Sequence, residues 1–237
     1  MMQIVDSMTW MAAFDALEID WGAPILVAGM DAAGLAGECA RAGSAGIAAE
    51  GDDWFLLSSE SPGDTPGSWH DLPHGTVGTV VLRRAWPDRP GLTSAVEAGA
   101  ALVAPGGRLM VADLDTERLL EGSPVRYPYQ FRFVLDPAAR ASFREMVMST
   151  ADLALEVGRA GMRGVSGVSL DEERGRYDGP AGYWTAVRDG AWPSLSEMPS
   201  VEREVLLEEL AAELSRVAPM GEIVERRPWF TATGVRA

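Results

Sequence analysis

Val103-Ala104-Pro105-Gly106-Gly107-Arg108-Leu109-Met110-Val111-Ala112-Asp113 sets a Pro-Gly-Gly turn before a short apolar run that closes on an acid. Proline and two glycines cannot continue the helical pattern of Leu92 to Leu102 that precedes them, so the chain must turn there. The run from Arg108 to Asp113 then reads as a buried strand. On the far side of the helical stretch, Thr76 to Leu82 is β-branched and apolar, a second strand signal. Strand, helix and strand within forty residues make a βαβ unit, whose two strands run parallel.

Upstream the same alternation repeats. Ile25-Leu26-Val27-Ala28-Gly29 is an apolar run closed by glycine, Asp31 to Arg41 is Ala-rich and helical, and Ser44 to Glu50 reads as another short strand. Gly51-Asp52-Asp53 turns the chain away, and Ser58 to Gly67, with two prolines and two glycines, is loop. Apolar positions Ile4, Met8, Met11, Ala12 and Ala16 predict an N-terminal amphipathic helix over residues 3–18.

Downstream, Tyr127, Tyr129, Phe131 and Phe133 alternate with polar residues, as in a strand with one aromatic face. Asp136-Pro137 opens a helix reaching about Met148, and another runs from Thr150-Ala151-Asp152 to Gly161. Tyr177 to Trp192, with Tyr183 and Trp184 among glycines, reads as a loop or lid. Ser200 caps a helix over Val201 to Val217 whose apolar face is Val201, Val205, Leu210, Leu214 and Val217, and Trp229 to Arg236 reads as a final strand. The expected fold is α/β, with a mostly parallel sheet covered by helices on both faces. Residues 1–237 form one domain with no dividing linker, its core at about 20–170 plus the terminal strand, and cap or lid segments within 115–200.

Composition removes several chemistries. Among 237 residues there are 35 acids and 20 bases, a net charge of −15, and every base is arginine. Without lysine there is no Walker phosphate loop, no Schiff base and no lysine general base. So acidic a chain has few cations to set against phosphates, which argues against nucleic acid as a partner. Cys39 stands alone and reads as a small buried residue in a reducing cytoplasm, while His70 and His74 cannot make a metal site by themselves. The first arginine is Arg41, and Asp6 and Asp15 lie where a secretory signal would be apolar. No run of 18 apolar residues occurs. A cytoplasmic protein, soluble or peripherally attached to a complex, is expected.

Three patterns in order resemble the class I S-adenosylmethionine-dependent methyltransferases. Val103 to Asp113 is similar to the family's L-K-P-G-G-R-L turn into a strand. His70-Asp71-Leu72-Pro73-His74, continued by Gly75 to Val81, resembles its D-L-P-F…S-F-D-x-V stretch, and Ala160-Gly161-Met162 its A-G-F. The resemblance covers about residues 20–170, with Thr233-Gly234 also similar. It implies a seven-stranded, Rossmann-like sheet whose last strand is antiparallel, and a cofactor lying over the carboxyl ends of the first strands.

The family's cofactor loop carries an acid and three glycines. Here Val27 stands at the acid's position, Gly29 is kept, Asp31 and Ala33 replace the second and third glycines, and Gly34 comes one place late. The resemblance implies that Glu50 would hold the ribose hydroxyls, with Trp69 and Asp71 near the adenine. Two further acidic positions fall at Ser68 and Gly78. Cofactor contacts are therefore expected at Gly29, Asp31, Gly34, Glu50, Trp69 and Asp71, with no catalytic residue assigned.

Two readings follow. In one, the cofactor site has eroded and the protein is a non-catalytic subunit of a protein complex, docking through acidic or aromatic surfaces. In the other, it is an active S-adenosylmethionine-dependent methyltransferase acting on a small molecule, with His70 or His74 as a base and the aromatic segments around the acceptor. A nicotinamide-dependent enzyme fits less well, because Gly29 and Gly34 do not make G-x-G-x-x-G.

Overall fold

Ile25, Leu26, Val27 and Ala28 are each at most 2% exposed, as a strand covered on both faces requires. The computed structural model describes residues 3–4, 9–50, 53–57, 62–63, 69–84, 89–121, 141, 148–191, 199–217 and 221–237. The chain divides into two units. Unit 1 comprises Met1–Leu114, Met146–Leu170 and Trp229–Ala237, and unit 2 comprises Asp115–Glu145 and Asp171–Pro228.

The strands are β1 (Gln3–Ile4), β2 (Ile25–Gly29), β3 (Gly46–Glu50), β4 (Asp53–Leu57), β5 (Pro62–Gly63), β6 (Val77–Arg83), β7 (Val103–Leu114), β8 (Arg163–Tyr177) and β9 (Ile223–Val235). Their order is β1-β8-β9-β7-β6-β2-β3-β4-β5. β2 pairs parallel with β3 and β6, β6 pairs parallel with β7, and β9 is antiparallel to β7. This is a doubly wound α/β sheet, parallel across β3-β2-β6-β7, with β9 antiparallel beside β7. The sheet has nine strands against the seven expected, with the two-residue strands β1 and β5 at its two edges.

The helices are α1 (Trp10–Ala16), α2 (Ala32–Arg41), α3 (Arg89–Leu102), α4 (Thr116–Glu121), α5 (Thr150–Arg159), α6 (Gly179–Ala186) and α7 (Ser200–Val217). β2-α2-β3 and β6-α3-β7 step outward in opposite directions along the sheet. Right-handed crossovers therefore place α2 and α3 on opposite faces. Leu92 and Val96 of α3 and Leu153 and Val157 of α5 pack with Leu26, Val80, Leu82, Leu109 and Val111 of the strands. Alternate strand residues Ile25, Val27, Val81 and Met110 are buried as well, so the other face is also covered. At the head of α5, Ser149 and Asp152 form a reciprocal capping box.

The structure departs from the sequence reading in definite places. Gln3–Ile4 pairs with Val168–Ser169 as a strand, and among the described residues the N-terminal helix covers Trp10–Ala16, capped by the Thr9 side chain. The Pro-Gly-Gly segment is an irregularity within β7: Val77 and Thr79 of β6 face Val103 and Arg108 across it. The backbone NH of Gly106 donates to the carbonyl of Arg236, and that of Arg236 to Gly107, which zips the segment to the chain end. After β3, Asp53–Leu57 returns as an antiparallel strand, which its aromatic and apolar residues favour. Tyr127, Tyr129, Phe131, Phe133, the helix after Asp136, and Trp192 lie outside the described residues.

In unit 2, Tyr177 to Trp192 is not a loop as far as Ala191: α6 is followed by a π-helical turn over Val187–Ala191. Tyr183 and Trp184 lie in a core with Val187, Leu207, Leu210, Leu214 and Ile223. They pack there as buried rings and do not offer an exposed interface. The buried stripe of α7 is thus Leu207, Leu210 and Leu214, whereas Val201 and Val205 are 75% and 53% exposed. The side chain of Val217 lies outside the described residues.

One long-range cap closes unit 1. The Arg236 guanidinium donates to the carbonyl oxygens of Ala100, Ala101 and Val103 at 3.2, 2.8 and 2.5 Å, satisfying the C-terminal end of α3. Replacing Arg236 by alanine is expected to lower unfolding free energy by about 1–3 kcal/mol in urea titrations.

Candidate functional site

The sheet changes its direction of winding between β2 and β6, which is where an open α/β sheet forms a crevice. Gly29 at the end of β2 lies in register with Arg83 at the end of β6, and the Met30 NH donates to the Arg83 carbonyl at 2.7 Å. Gly29 has φ of 97° and Asp31 has φ of 53°. The left-handed turn needs Gly at the first position, and Asp is among the few other residues that adopt it readily. Asp31 is the N-cap of α2 without a side-chain capping bond, and is exposed.

Of the other expected contacts, Gly34 is exposed in the first turn of α2, and a Cβ there would have open space around it. Among the described residues, no other part of the protein packs against that position. Glu50 ends β3 at the hairpin, paired with Asp53 across the β3–β4 ladder; its side chain lies outside the described residues, as does that of His70. Trp69 and Asp71 share a 3-10 turn over Trp69–Asp71. Trp69 is 4% exposed and belongs to the unit 1 core, while Asp71 is exposed. Gly29 and Asp31 thus sit together at the crevice, and Glu50 ends the neighbouring strand.

Gly78 has a steric explanation. A Cβ on it would collide with the Cβ of Ala23, because its NH donates to the Pro24 carbonyl at 2.9 Å. An acid cannot occupy this place while the segment before β2 packs so closely. Gly78→Ala is expected to destabilise the fold by about 1–3 kcal/mol, read from the urea midpoint.

Sequence reading missed the groups that fill the crevice's edge. Arg83 is 1% exposed, with its guanidinium carbon 4.7 Å from the ring centroid of Trp10 and 4.9 Å from that of Trp229. Its Nη1 also donates to the Asp31 carbonyl at 3.4 Å. Planar guanidinium suits such stacking, worth up to about 2 kcal/mol per ring when desolvated. Next to it Arg84, at φ of 45°, donates from Nη1 to Asp113 Oδ1 at 3.0 Å. Asp113 is fully buried and also accepts from the NH groups of Leu114 and Met148 at 2.8 and 3.0 Å. Two adjacent arginines closing an apolar strand were the available signal.

Burial pushes the Asp113 carboxyl above its ordinary value of 3.8, against the opposing pull of Arg84 and the two NH groups. An acid with a raised folded pKa stabilises most where it is protonated, so its contribution falls as pH rises above 3.8 and through the folded value. Urea titrations should show the stability difference between wild type and Asp113→Asn shrinking over that rise. A constant difference would contradict this assignment.

Among the described residues, no three His, Cys, Asp or Glu side chains gather to hold a metal ion. No described helix is long and apolar enough to cross a membrane. Burial raises the Cys39 thiol to about 12, which leaves it unreactive.

Among known proteins, no family model and no curated protein matches the chain. Solved structures similar to it include Haemonchus contortus phosphoethanolamine N-methyltransferase 2, in complex with phosphomonomethylethanolamine and S-adenosylhomocysteine, at 11% identity and a TM-score of 0.48. That likeness covers 96% of this chain and 53% of the other, so the chain spans about half the length of that enzyme. A SAM-dependent methyltransferase from Archaeoglobus fulgidus is similar at 10% identity over 95% of this chain and 92% of its own, with a TM-score of 0.46. Geranyl diphosphate C-methyltransferase from Streptomyces coelicolor is similar at 13% identity, covering 96% and 78%, with a TM-score of 0.44.

Proposed function

We propose that this chain is a methyltransferase-like protein with an eroded cofactor site, and that it acts without catalysis as a subunit binding and stabilising a protein complex. The observation that carries this reading is the β3–β4 hairpin. The chain leaves β3 at Glu50 and re-enters the sheet antiparallel at Asp53. β4 consequently presents its amino end beside the carboxyl ends of β2 and β3. Among the described residues, the strand beside β3 therefore does not offer at the crevice the carboxyl end that an open α/β sheet uses to hold a ligand.

Charge supports the same reading. A sulfonium methyl donor is cationic, and Arg83 is a permanent cation buried beside Asp31. Repulsion between the two is strengthened where water is excluded. Val27, at the expected acid's position, is apolar and fully buried, so no carboxylate stands there. The residues present do not fit S-adenosylmethionine well.

The active-enzyme reading has one observation in its favour. Gly29 and Asp31 keep the left-handed turn of a cofactor loop, on which Gly29, Asp31, Glu50 and Asp71 would face the cofactor. Calorimetry with S-adenosylmethionine and S-adenosylhomocysteine separates the two readings. No heat of binding is expected at ligand up to about 1 mM. Binding near 1 μM that Glu50→Ala abolishes would overturn the proposal and establish the enzyme.

A further inference from the structure

Three large apolar side chains are exposed among the described residues, and two of them, Val201 and Val205, lie one turn apart on α7. Val201 and Val205 thus form a short apolar stripe at the amino-terminal end of the helix's outer face, and exposed Ala212 returns to the same line two turns further on, past Glu208 and Glu209. Exposed Glu208 borders the stripe on one side, and exposed Glu202 and Glu209 border it on the other. Glu204, also on this face, is engaged by Arg188 at 3.4 Å. The opposite face of α7 is fully committed to the unit 2 core through Leu207, Leu210 and Leu214. The outer stripe is thus an addition to the packing the helix needs.

We propose that this face of α7 docks a basic amphipathic helix of a partner protein, apolar side chains on the valine stripe and arginines or lysines against the flanking glutamates. The inference rests on the protein-binding reading above and specifies its surface. Charge decides the occupant. A second copy of this chain would bring an identical acidic rim, and both copies carry a net charge of −15, so self-association meets repulsion at every flank. A cationic helix gains attraction along the same edges, and helix-in-groove recognition uses anchors at this spacing.

The test is fluorescence anisotropy of the full chain with a labelled peptide helix of leucine and arginine whose leucines form one stripe. Its control is a scrambled peptide of the same composition. The striped peptide is expected to bind at least about tenfold more tightly than the scrambled one. Val201→Gln/Val205→Gln should remove that preference, while Leu155→Gln, at the third exposed apolar site, should keep it. Both positions on α7 are exposed, and an unchanged thermal midpoint would confirm that the double variant folds.

Equal binding of the two peptides, or a preference that survives the double substitution, would overturn the α7 assignment. Failure of the underlying reading looks different. Calorimetric binding of S-adenosylmethionine would overturn the eroded-site reading whatever the peptide result, whereas a lost peptide preference with no cofactor binding would remove only the docking surface.

Discussion

The parallel ladder between β2 and β6 is the constraint on which the rest of this protein depends. These strands are separated by nearly fifty residues, yet Ile25 through Gly29 pair one for one with Thr79 through Arg83. From this seam β3 is added on one side and β7 on the other, so helices must cover both faces and the crevice must open at the strand ends. Close packing reinforces the seam at its base, where Gly78 lies against Ala23 and Pro24. At its top, Arg83 joins β6 to the Asp31 turn and to two tryptophans from opposite ends of the chain. The crevice edge is therefore a filled, charged and aromatic corner.

What the sequence made legible was the part governed by periodicity and turn chemistry. Apolar runs such as Ile25–Gly29 and Val77–Leu82, separated by helical stretches, are enough to argue a doubly wound sheet. The Pro-Gly-Gly segment placed β7 correctly, although its pairing with Arg236 draws the segment itself into the strand. Less legible were features decided by distant partners. The return of Asp53–Leu57 as an antiparallel strand depends on an open edge of β3, which local propensity does not reveal. Gln3–Ile4 becomes a strand only because β8 offers Val168 and Ser169.

The candidate site divides along the same line. The left-handed backbone at Gly29 and Asp31 became visible only in the structure, although both residue types adopt it readily. The burial of Trp69 was not legible, because an aromatic residue beside a motif looks the same in sequence whether it is exposed or part of a core. Arg83 and Arg84 were overlooked because a buried cation is intelligible only once its partners are known, and Trp10, Trp229 and Asp113 lie far away in the chain. On α7, helical periodicity identified apolar positions but not which of them meet the core. Tyr183 and Trp184 settle that by claiming Leu207, Leu210 and Leu214.

The indoles around Arg83 also form an optical pair. Trp10 and Trp229 stand edge to face, with ring centroids 5.8 Å apart and planes inclined at 66°. Their transition dipoles are close enough to couple, and the coupling exists only while residues near the two ends of the chain are held side by side. The exciton band in circular dichroism is consequently a built-in spectroscopic marker for contact between the first helix and the last strand, sensing local separation there even when the remaining secondary structure persists.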